Sequence, residues 1–144
     1  MINQSGIHDI VVGVDLVSIS RFNQLLQRFD QYLTQYVFTS YELEQCGQSI
    51  QRLAARYAAK EAVSKALQVG LVHMSKHGIP ASEIEVYTQA SGAPALKLYG
   101  TANELAQHMQ IQALKVSLSH EKDYAIAMVT GFCLYSENQS MSVQ

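Results

Sequence analysis

The sequence predicts an α+β fold: a mainly antiparallel sheet packed around one long central helix. Residues 51–67, Q-R-L-A-A-R-Y-A-A-K-E-A-V-S-K-A-L, hold neither Gly nor Pro and consist mostly of strong helix formers, so they read as that helix. The other periodic segments run strand, helices, two strands, helix, two strands, an order of antiparallel type. A chain of 144 residues, 48% hydrophobic and 15% charged, has the apolar content for one compact core. A single domain is expected over residues 1–135, with residues 136–144 (S-E-N-Q-S-M-S-V-Q) as a frayed polar C-terminal tail.

Residues 10–17, I-V-V-G-V-D-L-V, are β-branched and almost uncharged, which predicts a strand buried on both faces. Period two sets Val11, Gly13, Asp15 and Val17 on one of those faces. Ser20 is the expected cap of a following helix with Phe22, Leu25, Leu26 and Phe29 at apolar spacing. Thr39 and Glu42 have the spacing of a capping box for a short helix that stops near Gly47. Gly70 is placed to end the long helix, and residues 72–80 read as a loop. Its two histidines, His73 and His77, have no third ligand in that loop, so they are not read as a metal site. Residues 83–88 and 95–99 read as strands around the turn Q-A-S-G-A-P. Thr101 and Glu104 repeat the capping-box spacing for a helix through Met109. Residues 114–119 and 124–132 read as the last two strands, with His120 at the end of the first.

Charge and burial conflict on the long helix. At about 100° per residue, Leu53, Ala54, Tyr57 and Ala58 form an apolar stripe that also carries Glu61 and Lys65. Ala55, Ala59, Ala62 and Ala66 make a small-residue side, and Arg52, Arg56 and Lys60 a column of positive charge. Glu61 and Lys65 admit two readings. One is a surface i, i+4 pair worth about 0.2–0.5 kcal/mol; the other is a functional pair placed where core should be. Asp15 divides the same way, between a strand-end Asp bonding a turn and a site residue beside the space left by Gly13. Arg21 and Arg28, seven apart, share a helix face with Gln24, and Leu25 lies between them.

Composition narrows the function classes. A net charge of −2 offers no bulk electrostatic case for nucleic acid or an anionic membrane. The grouped basic residues instead suggest a specific anionic ligand or partner. Cys46 and Cys133 sit in no motif and are expected as free thiols in a reducing cytoplasm. Residues 1–9 are polar, unlike a signal peptide. No apolar run reaches the roughly 18 residues that a membrane span needs.

With these pieces in order, the sequence resembles the holo-acyl-carrier-protein synthases, the small bacterial type of 4′-phosphopantetheinyl transferase. Four segments carry the likeness: V-V-G-V-D-L-V, R-Y-A-A-K-E-A-V-S-K-A-L, S-G-A-P, and S-L-S-H followed by Y-A-I-A-M-V. Together they span roughly residues 11–129. The resemblance implies a magnesium-dependent transfer of the phosphopantetheine arm of coenzyme A to a serine of an apo acyl carrier protein. Adenosine 3′,5′-bisphosphate leaves. It further implies Asp15 and Glu61 as magnesium ligands, and Glu61, Lys65 and His120 as catalytic residues. Arg56, Lys65, Gly92, Pro94 and His120 would bind coenzyme A, and Arg21 would meet the acidic carrier protein, with Arg28 on the same helix face and Leu25 between them expected to extend that contact. A homotrimer with sites between subunits is implied as well. The chain departs from the family pattern at Ser18, where Glu is common, at Ala55, where Gly is common, and at Ala93, where Lys is typical.

The competing class is a non-catalytic coenzyme A or carrier-protein binding module of the same fold, with Glu61–Lys65 a structural pair. Retention of Asp15, Glu61 and Lys65 speaks against it, since a scaffold would tolerate apolar residues there.

Overall fold

A computed structural model describes residues 6–72 and 76–134. The elements run β1 (Ile7–Ser18), α1 (Ile19–Tyr32), a π-helical turn (Leu33–Val37), α2 (Ser40–Cys46) and α3 (Ile50–Ala66). A 3-10 turn (Ala81–Glu83), β2 (Ile84–Thr88), β3 (Pro94–Leu98), α4 (Gly100–His108), β4 (Ile111–His120) and β5 (Tyr124–Leu134) follow. β1, β5 and β4 make one antiparallel sheet with β5 central, and β2 and β3 make an antiparallel hairpin. The expected α+β class, the antiparallel pairing and the long central helix are all present. His73 and the tail at residues 136–144 lie outside the described residues. No described helix is long and apolar enough to cross a membrane.

The sheet takes its position from α3. Ser49 caps that helix by accepting from the Arg52 N–H at 3.3 Å, and the small residues along its side allow close packing on β1 and β5. Ala55, Ala59, Ala62 and Ala66 meet Val11, Ala125, Ala127 and Val129 in the core. At Gly13 the approach is closest. A Cβ added there would stand 1.9 Å from the Ala62 carbonyl oxygen, so only glycine lets the strand reach the helix backbone. That contact brings Asp15, two residues along the same strand face, alongside the last turns of α3.

Several local expectations are corrected. The long helix does not run on to Gly70. It closes in a Schellman motif, with Gln68 left-handed at φ 59 and Val69 N–H bonded to the Ser64 carbonyl at 3.0 Å. The cap of α1 is Ser18 rather than Ser20, so the serine at the family's Glu position serves helix initiation. The Thr39–Glu42 capping box forms, whereas Thr101–Glu104 does not. α4 begins two residues earlier than a Thr101 cap would start it, at Gly100 after Tyr99, and Glu83 from the 3-10 turn accepts its Ala102 N–H at 2.9 Å. Glu83 therefore precedes β2 instead of opening it.

β1 is not buried on both faces. Its inward face packs on α3, while Ile10, Val12, Val14 and Leu16 on the other side are 51–66% exposed. Ile126, Met128 and Phe132 of β5 continue this bare apolar surface. The basic column of α3 divides, with Arg52 exposed and Arg56 and Lys60 buried. Lys60 is fully buried against Glu42 at 2.9 Å, which removes it from the charges available to an anionic ligand.

Candidate functional site

Where β1 gives way to α1, the sheet face, α1 and the last turns of α3 enclose a cleft of about 420 Å³. Asp15, Arg21, Leu25, Glu61 and Lys65 all line it, with Ser18, Phe22 and Tyr57. Asp15 arrives on the inward face of β1, and Arg21 and Leu25 one turn apart on α1. Glu61 and Lys65 come from successive turns of α3. The apolar stripe read on α3 thus faces partly into this cleft, which explains how a carboxylate and an ammonium share it with Leu53 and Ala54.

The charges are arranged in pairs. The Lys65 ammonium donates to Asp15 Oδ1 at 2.8 Å and to the Val14 carbonyl at 3.0 Å. Lys65 and Glu61 are therefore not the simple surface i, i+4 pair, since the lysine reaches across to the strand. Glu61 is only 6% exposed and takes a hydrogen bond from the Tyr57 hydroxyl one turn earlier. Burial, then the neighbouring Glu61 charge and that hydrogen bond, push the Tyr57 phenol well above its usual pKa, so it stays a protonated donor. The apolar stripe of α3 reads Tyr57 only as core. Its i, i+4 spacing to Glu61 was the available signal.

Two carboxylates presented from separate elements are hard oxygen donors. They suit a divalent cation that completes its shell with water and phosphate oxygens. Among the described residues no group of three or more His, Cys, Asp or Glu side chains gathers as a closed metal cage.

Other candidate residues lie elsewhere. His120 is exposed at the end of β4, beside the start of α3, in a hollow lined by Ser49, Gln51, Arg52, Glu121 and Lys122. Arg52 and Lys122 set two positive charges against the one negative charge of Glu121 in this hollow, and sequence spacing assigns neither of them to it. Arg56 is 8% exposed; its Nη1 donates to the Arg52 carbonyl at 3.4 Å, and its Nε has no partner among the described residues. Gly92 sits in the β2–β3 hairpin turn, where it supplies the left-handed φ of 89, and Pro94 opens β3 opposite Thr88. They line neither cleft. Arg28, two turns along α1 from Arg21, does not line the cleft, and its guanidinium lies 5.3 Å from the Phe29 ring centroid. Around the break in α1 at Phe29, Leu25, Phe29, Tyr32, Leu33, Val37 and Tyr57 line an apolar groove of about 290 Å³ that shares Leu25 and Tyr57 with the polar cleft.

Comparison with known proteins follows the same residues. The model of the 4′-phosphopantetheinyl transferase superfamily matches residues 11–129. A holo-(acyl-carrier-protein) synthase of Herpetosiphon aurantiacus is 44% identical over 124 residues, covering 85% of this chain and 98% of that protein. One from Geobacter metallireducens is 39% identical over 120 residues, covering 81% and 92%. Among solved structures, the Helicobacter pylori holo-(acyl-carrier-protein) synthase in complex with coenzyme A superposes with a TM-score of 0.72 at 31% identity, over 86% of this chain and 99% of that one. The Bacillus anthracis synthase in complex with coenzyme A (3′,5′-ADP) gives 0.66 at 26%, over 85% and 96%.

Proposed function

The chain belongs to the 4′-phosphopantetheinyl transferase superfamily, among its holo-acyl-carrier-protein synthases, and we propose that it transfers the 4′-phosphopantetheine of coenzyme A to a serine of an apo acyl carrier protein. The observation that carries this reading is the meeting of Asp15, Glu61, Lys65 and Arg21 in one cleft. In the step, the serine oxygen forms a bond to the phosphorus nearest the pantetheine, and the pyrophosphate bridge P–O bond breaks. The electron pair leaves on adenosine 3′,5′-bisphosphate, and the serine proton passes to a base.

Asp15 and Glu61 would hold magnesium, whose positive charge when bound would oppose that of the pyrophosphate oxygens. Tyr57 keeps Glu61 oriented through its hydroxyl. Lys65, 52% exposed on a flexible stem, is the cation that can follow charge onto the leaving phosphate. Incubating the protein with apo carrier protein, coenzyme A and magnesium should raise the carrier's mass by one phosphopantetheine. No gain across several carriers would favour the non-catalytic binding module.

His120, Arg52 and Lys122 lie outside that cleft, and the bare face of β1 and β5 is apolar. Both features support a homotrimer in which this face is covered and sites form between subunits, with His120 and Arg56 on the coenzyme A side. Sedimentation at the mass of three chains tests it; a monomer at working concentration would refute it. The two cysteines are unpaired, which suits the cytoplasm, where coenzyme A and carrier protein would be met.

The carrier would dock along α1, with Arg21 at the cleft and the apolar groove past Leu25 receiving a hydrophobic side chain. Arg28 marks the outer end. Charges at an interface rim act mainly on association rate and salt sensitivity. Arg21→Glu is therefore expected to raise KM for carrier protein about 10-fold or more, leave KM for coenzyme A near normal and flatten the salt dependence. Loss of coenzyme A affinity with carrier affinity intact would place Arg21 in the nucleotide site instead.

A further inference from the structure

Lys65 already has an anion in this structure, and it is one of the two carboxylates assigned to the divalent cation. Its Nζ stands 2.8 Å from Asp15 Oδ1, and the Val14 carbonyl at 3.0 Å fixes the ammonium over the strand. Asp15 is mostly covered at 17% exposure, while the lysine side chain is 52% exposed. Half-exposed pairs of this kind are weak and exchange readily. A divalent cation approaching the protein alone would have to displace that ammonium and would also meet Arg21, which lines the same cleft. The pyrophosphate of coenzyme A changes the balance, because it offers Lys65 other anionic oxygens and leaves Asp15 open.

Building on the transfer reading above, we propose that Lys65 is a placeholder cation: it neutralises Asp15 until coenzyme A arrives, so that divalent cation and coenzyme A bind as a coupled pair. The lysine side chain suits the role. It is a compact point charge on a flexible four-carbon stem, able to swing between neighbouring anions without moving the backbone. Coupling of this kind is reciprocal, so the factor by which coenzyme A tightens the metal is the factor by which metal tightens coenzyme A.

Calorimetric titration of magnesium, or of manganese as its stand-in, tests this without any carrier protein and so without turnover. In the parent, saturating coenzyme A is expected to tighten metal binding about 10-fold or more, within the usual range of such couplings. In Lys65→Met, metal binding without coenzyme A should become about 5-fold tighter than in the parent, and the coupling should shrink by the same factor to what direct phosphate contact with the metal supplies. Lys65→Arg keeps a cation over Asp15 and should retain the coupling. If Lys65→Met folds poorly, Lys65→Gln carries the same expectation, with melting followed on each preparation. Metal affinity in the neutral variants equal to or weaker than the parent's would overturn the placeholder role. A parent that binds metal and coenzyme A independently, yet still modifies carrier protein, would overturn it while leaving the transfer reading intact. A parent that binds no coenzyme A at all would remove both.

Discussion

Asp15→Asn and Glu61→Gln are each expected to lower turnover by about 10²-fold or more while the protein stays folded. Each change removes one anionic hard oxygen from the cleft and little volume, so the metal would lose a charged ligand and keep a weaker neutral one. The structural cost should be small in both cases. Asp15 loses its ion pair with Lys65, but half of that lysine side chain is in water, and such exposed pairs contribute about 0–1 kcal/mol. Glu61→Gln retains an oxygen that can accept from the Tyr57 hydroxyl. Melting and turnover measured on one preparation should therefore separate, with melting near the parent's and turnover almost gone. Chelator should silence the parent and added magnesium restore it. Full parental activity in chelator would end the metal assignment, and near-normal turnover in both variants would end the assignment of these two carboxylates.

What the sequence made legible was whatever depends on neighbours in the chain. The long helix, its small-residue side and the Thr39–Glu42 box follow from spacings of three and four residues, and all were readable. The site was partly readable because Gly13 and Asp15 share one strand face and Glu61 and Lys65 one helix face. Some misses are local, such as the Ser18 cap and the Gln68 stop, where neighbouring residues offer near-equivalent signals; the others involve a partner distant in sequence. Glu83 supplies the donor-side cap of α4 from 19 residues before Ala102, so the local Thr101–Glu104 spacing was overridden. Alternation could not show that the apolar residues of β1 divide between a face covered by α3 and a bare one. An apolar strand face meant for an assembly has the same pattern as one meant for the chain's own core. The hairpin turn at Gly92 and the strand end at His120 were both legible as elements, yet spacing says nothing of their distance from Asp15.

Lys60 is the sharpest of these misses, and it leads to the largest expected effect on stability. Its ammonium is fully buried, 2.9 Å from Glu42 Oε2 and 3.0 Å from the Ala81 carbonyl, with the Ile84 carbonyl as a third acceptor. Three oxygen acceptors around one nitrogen call for the three hydrogens of an ammonium, so the group is charged, although burial pulls its pKa below the usual lysine value against the opposing pull of Glu42. Glu42 is equally committed: it accepts from Thr39 N–H at 2.9 Å and from Val86 N–H at 2.8 Å. One buried pair thus ties the start of α2, the 3-10 turn and β2 to α3, one residue from Glu61. Glu42→Gln would leave the ammonium without a counter-charge, and Lys60→Met would leave the carboxylate without its cation and two carbonyls without their donor. Each single change is expected to cost about 3–5 kcal/mol. The double variant should cost clearly less than the sum, because no unpaired charge remains. Urea unfolding at one fixed protein concentration, needed because the proposed assembly would shift apparent stability, measures all four corners of the cycle. Single variants within about 1 kcal/mol of the parent, or strictly additive losses, would show that the pair does not clamp these elements onto the helix.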